Sequence, residues 1–294
     1  GFLGNGVTRG IISIRRIKEV LATEPAMTFP DSPDEELEGS LSFEHVTFSY
    51  PNDDEPMLKD ISFEVEPGQM IGVVGATGAG KSTLLSVIAG DVKQDSGVVQ
   101  LDGALTSSYS PRDLARRRAV LLQKTQVAFS YTVREVVAMG RTPWRGTIRI
   151  DEDEAVIEQM MIRTEVAQFA ERDITTLSGG ESGRAHLARV FAQQTPLLLL
   201  DEPTAALDIR HQEQTLKSAR DLASEGAGVL TVLHDLDVAA AYSDRIVLLQ
   251  QGRVVCVGSP EQVCTAQRLS EVYGYPIEVL KHPVTGRLLI LPLR

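Results

Sequence analysis

Cysteine and long hydrophobic runs are both scarce in this sequence. The only two cysteines, Cys256 and Cys264, match no metal-binding spacing. We expect both to be reduced and to serve as small apolar residues. The hydrophobic runs are far shorter than the roughly 20 residues that a membrane-spanning helix requires. A role at a membrane would therefore need a separate membrane partner, or a membrane part outside this sequence.

An excess of basic charge is also lacking. The formal net charge is −11, which argues against general nucleic-acid binding because such proteins usually carry a basic surface. We find no secretory signal and no internal repeat. The sequence begins with Gly1 rather than Met, which is expected of a fragment, an engineered product or a processed chain. A hydrophobic content of 43% with 23% charged residues is typical of a globular protein with a sizeable core.

The first 39 residues differ from the rest of the chain. Residues 9–22 place Ile14, Ile17 and Leu21 at helical spacing between basic residues, which predicts a short amphipathic helix. Three prolines and an acidic run follow, a composition typical of a solvated linker. The basic helix fits a place near a membrane surface and an ordinary protein surface equally well.

A globular α/β domain is predicted to begin near residue 40. Segments that alternate between apolar and polar residues, or that are apolar throughout, predict strands. Two apolar strands joined by one helix form a βαβ unit, which predicts a parallel sheet. The strands are expected at 41–50, 58–66, 70–75, 197–202 and 228–235, a mostly helical region at 111–176, and a hairpin at 245–258 that turns at Gln251-Gly252.

A glycine-rich segment between a predicted strand and a predicted helix reads GATGAGKS, which is the complete P-loop pattern. Its glycines let several backbone N–H groups face phosphate oxygens, and the helix adds its positive N-terminal end. Lys81 is expected to reach the β and γ phosphates, and the Ser82 hydroxyl to bind Mg²⁺. The predicted nucleotide-binding residues are Gly75, Ala76, Thr77, Gly78, Ala79, Gly80, Lys81, Ser82 and Thr83.

Two adjacent acids, Asp201 and Glu202, end the apolar strand LLLLDE. Ligands of open parallel sheets bind at the carboxyl ends of the strands. Asp201 is predicted to hold Mg²⁺ directly or through water, and Glu202 to polarise an attacking water. Adjacent acids after a strand can also be plain surface charge, but a P-loop in the same chain favours a catalytic site.

In combination these motifs resemble the ABC (ATP-binding cassette) ATPases over about residues 40–260. Residues 177–181, LSGGE, resemble the family's signature loop, in which Gln is more usual than the final Glu. Gly183 follows as a poor helix former just inside the next helix. The resemblance implies that the loop contacts the γ phosphate bound to the opposite subunit, through Ser178, Gly179, Gly180 and Glu181.

The same resemblance implies roles for four further residues. Gln123 resembles the loop glutamine that senses Mg²⁺ and the membrane domain, and His234 resembles the switch histidine near the γ phosphate. Asp208 resembles a dimer-contact aspartate, and Tyr50 the aromatic that stacks on adenine. Taken alone, His234 would more often be a structural histidine and Tyr50 a core residue.

The fold that the resemblance implies is a P-loop core with an antiparallel β subdomain and an inserted helical subdomain. It also implies a homodimer that closes on two ATP molecules with Mg²⁺, integral membrane permease subunits, and an extracytoplasmic substrate-binding protein that acts indirectly. The resemblance also implies that the chain is a peripheral subunit at the cytoplasmic face of the inner membrane. It implies no nucleic-acid partner. The expected divisions are 1–39 (helix and linker), 40–110 (first core part), 111–176 (helical subdomain), 177–260 (second core part) and 261–294 (C-terminal tail).

The two parts of the chain resemble different branches of the family. Residues 9–80 are similar to exporters whose ATPase and membrane domains share one chain. From Leu84 onward the chain is similar to separate importer ATPases for haem, iron-siderophore or cobalamin complexes, especially those for haemin. His234 precedes Asp235-Leu236, as in importers. We therefore expect an importer of haem or a related iron complex, with a multidrug or lipid exporter as the alternative and a non-transport ABC ATPase as a lesser one.

Partner recognition is expected to depend on the region from Gln123 to about Trp144. Residues 1–39 are expected to be dispensable for it.

Overall fold

The computed structural model describes residues 37–51, 53, 55–123, 130–205 and 207–294, apart from the side chains of residues 148 and 150. The predicted amphipathic helix at 9–22 and most of the predicted linker lie outside the described residues. Within the described part, no helix has both the length and the apolar character needed to cross a membrane.

A six-stranded sheet forms the centre of the described part, in the order β10-β9-β3-β8-β7-β6. Neighbouring strands are parallel except for β10, which pairs antiparallel with β9. All residues of β3, β7 and β8 are buried, as expected of parallel strands covered on both faces. The bounds are β3 Met70–Gly75, β6 Arg118–Leu121, β7 Leu197–Asp201, β8 Gly228–Val232, β9 Arg245–Gln250 and β10 Arg253–Gly258.

A second sheet is antiparallel, and its strands come partly before and partly after the helix that follows β3. It has four strands in the order β2-β1-β4-β5. Its bounds are β1 Leu41–Phe48, β2 Leu58–Val65, β4 Ser96–Leu101 and β5 Ala104–Leu105. This sheet is the predicted antiparallel β subdomain.

Nine α-helices and a C-terminal hairpin complete the part of the chain that the structure describes. The helices are α1 Lys81–Ala89, α2 Pro111–Arg117, α3 Val133–Ala138, α4 Asp153–Arg163, α5 Gly179–Ala192, α6 Ile209–Ser224, α7 Leu236–Tyr242, α8 Pro260–Val263 and α9 Ala266–Tyr273. The hairpin pairs β11 Ile277–Lys281 with β12 Leu288–Pro292. Helices α3 and α4 pack together and against α5.

The run of four leucines in β7 contributes to two hydrophobic cores. Leu197 and Leu199 face a core shared with α1 and the antiparallel sheet. Leu198 and Leu200 face a second core that includes residues of α3, α4, α5 and α6. Because successive side chains of a strand point to opposite faces, a strand covered on both sides must be apolar throughout. This burial fixes the carboxyl end of β7, where Asp201 stands.

The predicted strands near 41, 58, 70, 197 and 228 and the hairpin near 245 are confirmed. Three details differ from the expectations. Arg118–Leu121, inside the mostly helical region, is a strand that pairs with β7. His234 lies two residues beyond the end of β8 rather than at its last position. The predicted tail from 261 is folded into helices and a hairpin. The division into domains itself stays a prediction.

Candidate nucleotide-binding site

The P-loop connects the buried strand β3 to helix α1. Gly75 has a φ of 153°, and a Cβ at this position would lie 2.3 Å from the Leu249 carbonyl oxygen. Gly80, the N-cap of α1, is left-handed with a φ of 99°. Both positions therefore require glycine. The loop leads directly into the N-terminus of α1, where unpaired backbone N–H groups favour an anion.

Lys81 folds back over this loop and is only 6% exposed. Its Nζ donates to the carbonyl oxygens of Gly75, at 2.8 Å, and Ala76, at 3.1 Å. Burial lowers the pKa of the Lys81 ammonium, and the nearby carboxylates of Glu202 and Asp201 oppose this shift. A phosphate in the loop would offer the ammonium a charged acceptor in place of two neutral ones.

Asp201 lies at the end of β7 beside the Ser82 hydroxyl. Burial raises its pKa, while the hydrogen bond from Ser82 and the charge of Lys81 lower it. Its Oδ1 is buried, and no hydrogen-bond partner for it occurs among the described residues. An unpaired buried carboxylate oxygen is costly, so it fits a cation. A carboxylate and a hydroxyl are also the oxygen ligands that Mg²⁺ prefers. The residues present therefore fit the predicted metal.

Glu202 brings three predicted site residues into one hydrogen-bonded chain. His234 Nε2 lies 2.5 Å from Glu202 Oε1, and Gln123 Nε2 donates to Glu202 Oε2 at 2.6 Å. The Glu202 side chain is 12% exposed, whereas that of His234 is 55% exposed. Glu202 also has a φ of 51°, which is uncommon outside glycine and typical of functional sites. The carboxylate is thus oriented from both sides by loops that follow β6 and β8.

Tyr50 lies at the edge of the P-loop region. Its ring packs edge-on against Phe48 with a centroid distance of 4.9 Å, and its hydroxyl lies 3.1 Å from Thr83 Oγ1. The residue is 38% exposed. It is therefore anchored at its edge and its hydroxyl, and part of its surface is accessible for stacking.

The signature-like loop ends in a capping box at the start of α5. The Glu181 N–H donates to Ser178 Oγ at 3.3 Å, and the Ser178 N–H donates to Glu181 Oε2 at 2.8 Å. This backbone hydrogen bond lowers the pKa of Glu181. Gln could make the same contact, but Glu adds a negative charge at a helix N-terminus, where it is favourable. The departure from the usual Gln is therefore compatible with the loop's structure.

Asp208 has a local structural role in the described chain. Its Oδ1 accepts from the His211 N–H at 2.9 Å and lies 2.8 Å from His211 Nδ1. These contacts make Asp208 the N-cap of α6, and the backbone hydrogen bond lowers its pKa. The dimer contact predicted for Asp208 remains a prediction.

Two contacts of the P-loop were missed by the sequence analysis. The Gly252 N–H, in the turn between β9 and β10, donates to the Ala79 carbonyl oxygen at 3.1 Å. The Tyr273 phenol, on α9, lies near the backbone of Gly75, which lowers its pKa. Burial raises the Tyr273 pKa to about 12. No local pattern could reveal either contact, because both join segments that are distant in sequence.

Comparison with protein families agrees with this geometry. The family model described as ABC transporter matches residues 58–205, which include the P-loop, the signature-like loop and both acids. The chain belongs to the ABC transporter family, as an ATP-binding and ATP-hydrolysing subunit that powers a membrane transporter. The expectation of this family and of its P-loop α/β fold is thereby confirmed.

Individual relatives define the position within the family more closely. The hemin import ATP-binding protein of Streptomyces coelicolor is 53% identical over 239 residues, covering 81% of this chain and 85% of that protein. A bacterial Atm1-family ABC exporter with ATP bound has a TM-score of 0.71 and 27% identity, covering 91% of this chain and 47% of that one. A dimeric ATP-binding cassette bound to ADP and phosphate has a TM-score of 0.69 and 27% identity, covering 75% of this chain and 98% of that one.

Proposed function

We propose that this chain is the ATPase subunit of an importer of haem or a related iron complex. The observation that carries the proposal is the 53% identity to a hemin import ATP-binding protein across 81% of the chain. The turn that follows the switch histidine supports it. Asp235, which is typical of importers at this place, is the N-cap of α7 and accepts from the N–H groups of Asp237 and Val238.

In the proposed site, the P-loop and Lys81 bind the phosphates, and Tyr50 stacks on adenine. Ser82, Asp201 and Gln123 would hold Mg²⁺, which supplies positive charge to offset that of the phosphate oxygens. Glu202 orients the attacking water by accepting its hydrogen bond. His234 holds the Glu202 carboxylate and donates toward the γ phosphate. The hydrogen-bonded chain of Gln123, Glu202 and His234 supports these roles.

We further propose a head-to-tail homodimer. Ser178, Gly179 and Asp208 are exposed, and a Cβ on Gly179 would meet nothing within 4 Å. Exposed, unobstructed backbone at a helix N-terminus suits a phosphate that belongs to another subunit. In this arrangement Ser178, Gly179, Gly180 and Glu181 contact the ATP of the opposite subunit, and Asp208 contacts its dimer partner.

The proposed setting is the cytoplasmic face of the inner membrane. The ATPase dimer binds integral membrane permease subunits there, and an extracytoplasmic substrate-binding protein delivers the cargo. We keep the predicted divisions at 39, 110, 176 and 260 as part of this proposal. The helical subdomain then provides the surface for the permease.

An exporter is the alternative function. It is favoured by the likeness of residues 9–80 to fused exporters and by the fold match to an Atm1-family exporter over 91% of this chain. Copurification distinguishes a transporter subunit, whether importer or exporter, from a non-transport ATPase. Only a transporter subunit would retain an integral membrane protein.

A deletion strain of the source organism tests the importer proposal. We expect it to lose growth on haem as the iron source, while growth on ferric salts is retained. The wild-type gene should restore haem uptake, and the Glu202→Gln variant should not. Uptake of cobalamin and of a ferric siderophore is measured in parallel, and loss of one of these instead of haem would reassign the cargo. Unchanged uptake of all three would contradict import.

A further inference from the structure

The C-terminal residues 260–294 pack beside the nucleotide site and the helix that follows His234. The Ile290 N–H, in β12, donates to Asp237 Oδ1 on α7 at 2.7 Å. The Tyr273 phenol, on α9, lies near the backbone of Gly75 in the P-loop, which opposes the rise in its pKa that burial causes. Helix α7 also packs directly against β12 and α8. This segment therefore touches both the phosphate loop and the helix that follows the switch histidine.

The N–H of Ile290 is free to serve Asp237 because of its place in the hairpin. Ile290 pairs with Val279, and Pro292 pairs with Ile277 in the same register. In an antiparallel ladder, residues two apart direct their N–H groups to the same side. Ile290 shares its side with Pro292, which has no N–H to donate. This is the side of β12 that is turned away from β11. The Ile290 side chain is 7% exposed and packs in the larger hydrophobic core, which fixes the strand in place.

Asp237 lies three residues after His234, in a turn that hydrogen bonds to Asp235 hold. Asp235 Oδ1 accepts from the Asp237 N–H at 2.9 Å and the Val238 N–H at 3.1 Å, so the turn holding His234 is fixed to α7. Asp237 in turn fixes α7 to β12. His234 Nε2 then lies 2.5 Å from Glu202 Oε1. The path from hairpin to carboxylate consists of specific hydrogen bonds and one helical turn.

We propose that Asp237 is a positioning residue for ATP hydrolysis, which uses its hydrogen bond to the Ile290 N–H to hold His234 beside Glu202. The C-terminal hairpin is then part of the catalytic framework. This inference rests on the proposed roles of Glu202 and His234.

The first test compares Asp237→Ala with Asp237→Asn in the full chain. Single-turnover hydrolysis of ATP is measured with protein in excess, and binding is measured with a fluorescent ATP analogue. Both use a temperature well below each variant's melting point. Asp237→Ala should hydrolyse about tenfold more slowly, with the analogue's Kd changed less than about twofold. Asp237→Asn keeps an acceptor oxygen and should restore most of the rate.

A second pair of variants tests the same hydrogen bond from the backbone. Ile290→Pro removes the donor, and Ile290→Ala is its matched control because it shortens the side chain but retains the N–H. Both should lower the melting temperature, since Ile290 is buried. Only Ile290→Pro should also slow hydrolysis, by about the factor seen with Asp237→Ala. Combining Asp237→Ala with Ile290→Pro should add little to either single change.

The outcomes separate this inference from the proposed function. Equal rates for the wild type, Asp237→Ala and Ile290→Pro would overturn the positioning role, as would a slow Asp237→Asn or equal slowing by Ile290→Ala and Ile290→Pro. Glu202→Gln is assayed alongside. If that variant hydrolyses ATP at the wild-type rate, the assignment of Glu202 fails instead.

Discussion

At the scale of single residues, the site is defined by buried charged side chains that have no fully matched partner. Lys81 hydrogen-bonds two carbonyl oxygens, whereas Asp201 retains a buried oxygen without a partner in the described residues. Such groups destabilise a site that has no ligand and favour one that binds oppositely charged groups. Substitution of these residues should therefore affect ligand binding and hydrolysis more than folding.

We expect Lys81→Ala to abolish ATP hydrolysis and to weaken nucleotide binding strongly. The change removes the cation that the loop places over the phosphates, so the rate should fall by at least about 100-fold. Phosphate release in the presence of the membrane partner measures this, with circular dichroism as a control for folding. A folded variant with full turnover would contradict the assignment of the P-loop.

Glu202→Gln should still bind Mg-ATP but hydrolyse it about 100-fold to 1,000-fold more slowly. The amide keeps the size of the side chain and loses the charge that orients water. The variant should therefore accumulate as an ATP-bound dimer, which size-exclusion chromatography with and without ATP would detect. A fully active variant that stays monomeric with ATP would show that Glu202 has another role.

At the scale of elements, the strands covered on both faces were predictable from the sequence. The short strand β6 and the contacts between segments distant in sequence were not. Met70–Gly75 and Leu197–Asp201 are apolar nearly throughout, so their burial is evident from the sequence. Arg118–Leu121 has only four residues beside several arginines, too few for a period to emerge. The site motifs were predictable because each is local. Their contacts with Gly252 and Tyr273 depend on tertiary folding.

Gly140 of the helical region and Gly183 of α5 should respond in opposite ways to alanine. A Cβ on Gly140 would lie 2.2 Å from the Arg189 carbonyl oxygen of α5, so Gly140→Ala should separate two packed segments and destabilise the fold by about 1–3 kcal/mol. A Cβ on Gly183, inside α5, would meet nothing within 4 Å, so Gly183→Ala should stabilise by about 0.5–1 kcal/mol.

Urea unfolding of the purified chain measures both changes. Equal midpoints for the two variants would show that α5 does not lie as close to Gly140 as the structure places it.

At the scale of the whole molecule, the described fold begins within the last residues of the predicted linker. The Gly39 and Ser40 N–H groups both donate to Asp102 Oδ1, at 2.8 and 3.1 Å. Gly39 and Ser40 are therefore bonded to the residue that follows β4 of the antiparallel sheet, and they do not belong to a removable segment. A deletion that tests the linker should end at residue 36 instead of residue 39.

We expect deletion of residues 1–36 to leave stimulation of the ATPase by a reconstituted haem permease intact. In the importer proposal, the permease is recognised by the region from Gln123 to about Trp144. Stimulated ATPase activity in proteoliposomes measures this, and the basal activity of the same deletion variant is the control. Lost stimulation with intact folding and basal activity would favour the exporter alternative.

Both oxygens of the Glu202 carboxylate are engaged by side chains of its own chain, one by His234 and the other by Gln123. Each carboxylate oxygen has two lone pairs, so in the proposed mechanism Glu202 can keep both partners and still accept a hydrogen bond from a water. The loops that follow β6 and β8 therefore determine where that water is held, and a movement of either loop would displace it from the γ phosphate. In the proposed transporter, coupling between cargo and ATP consumption would then depend on the placement of these two loops, because both hold the same carboxylate.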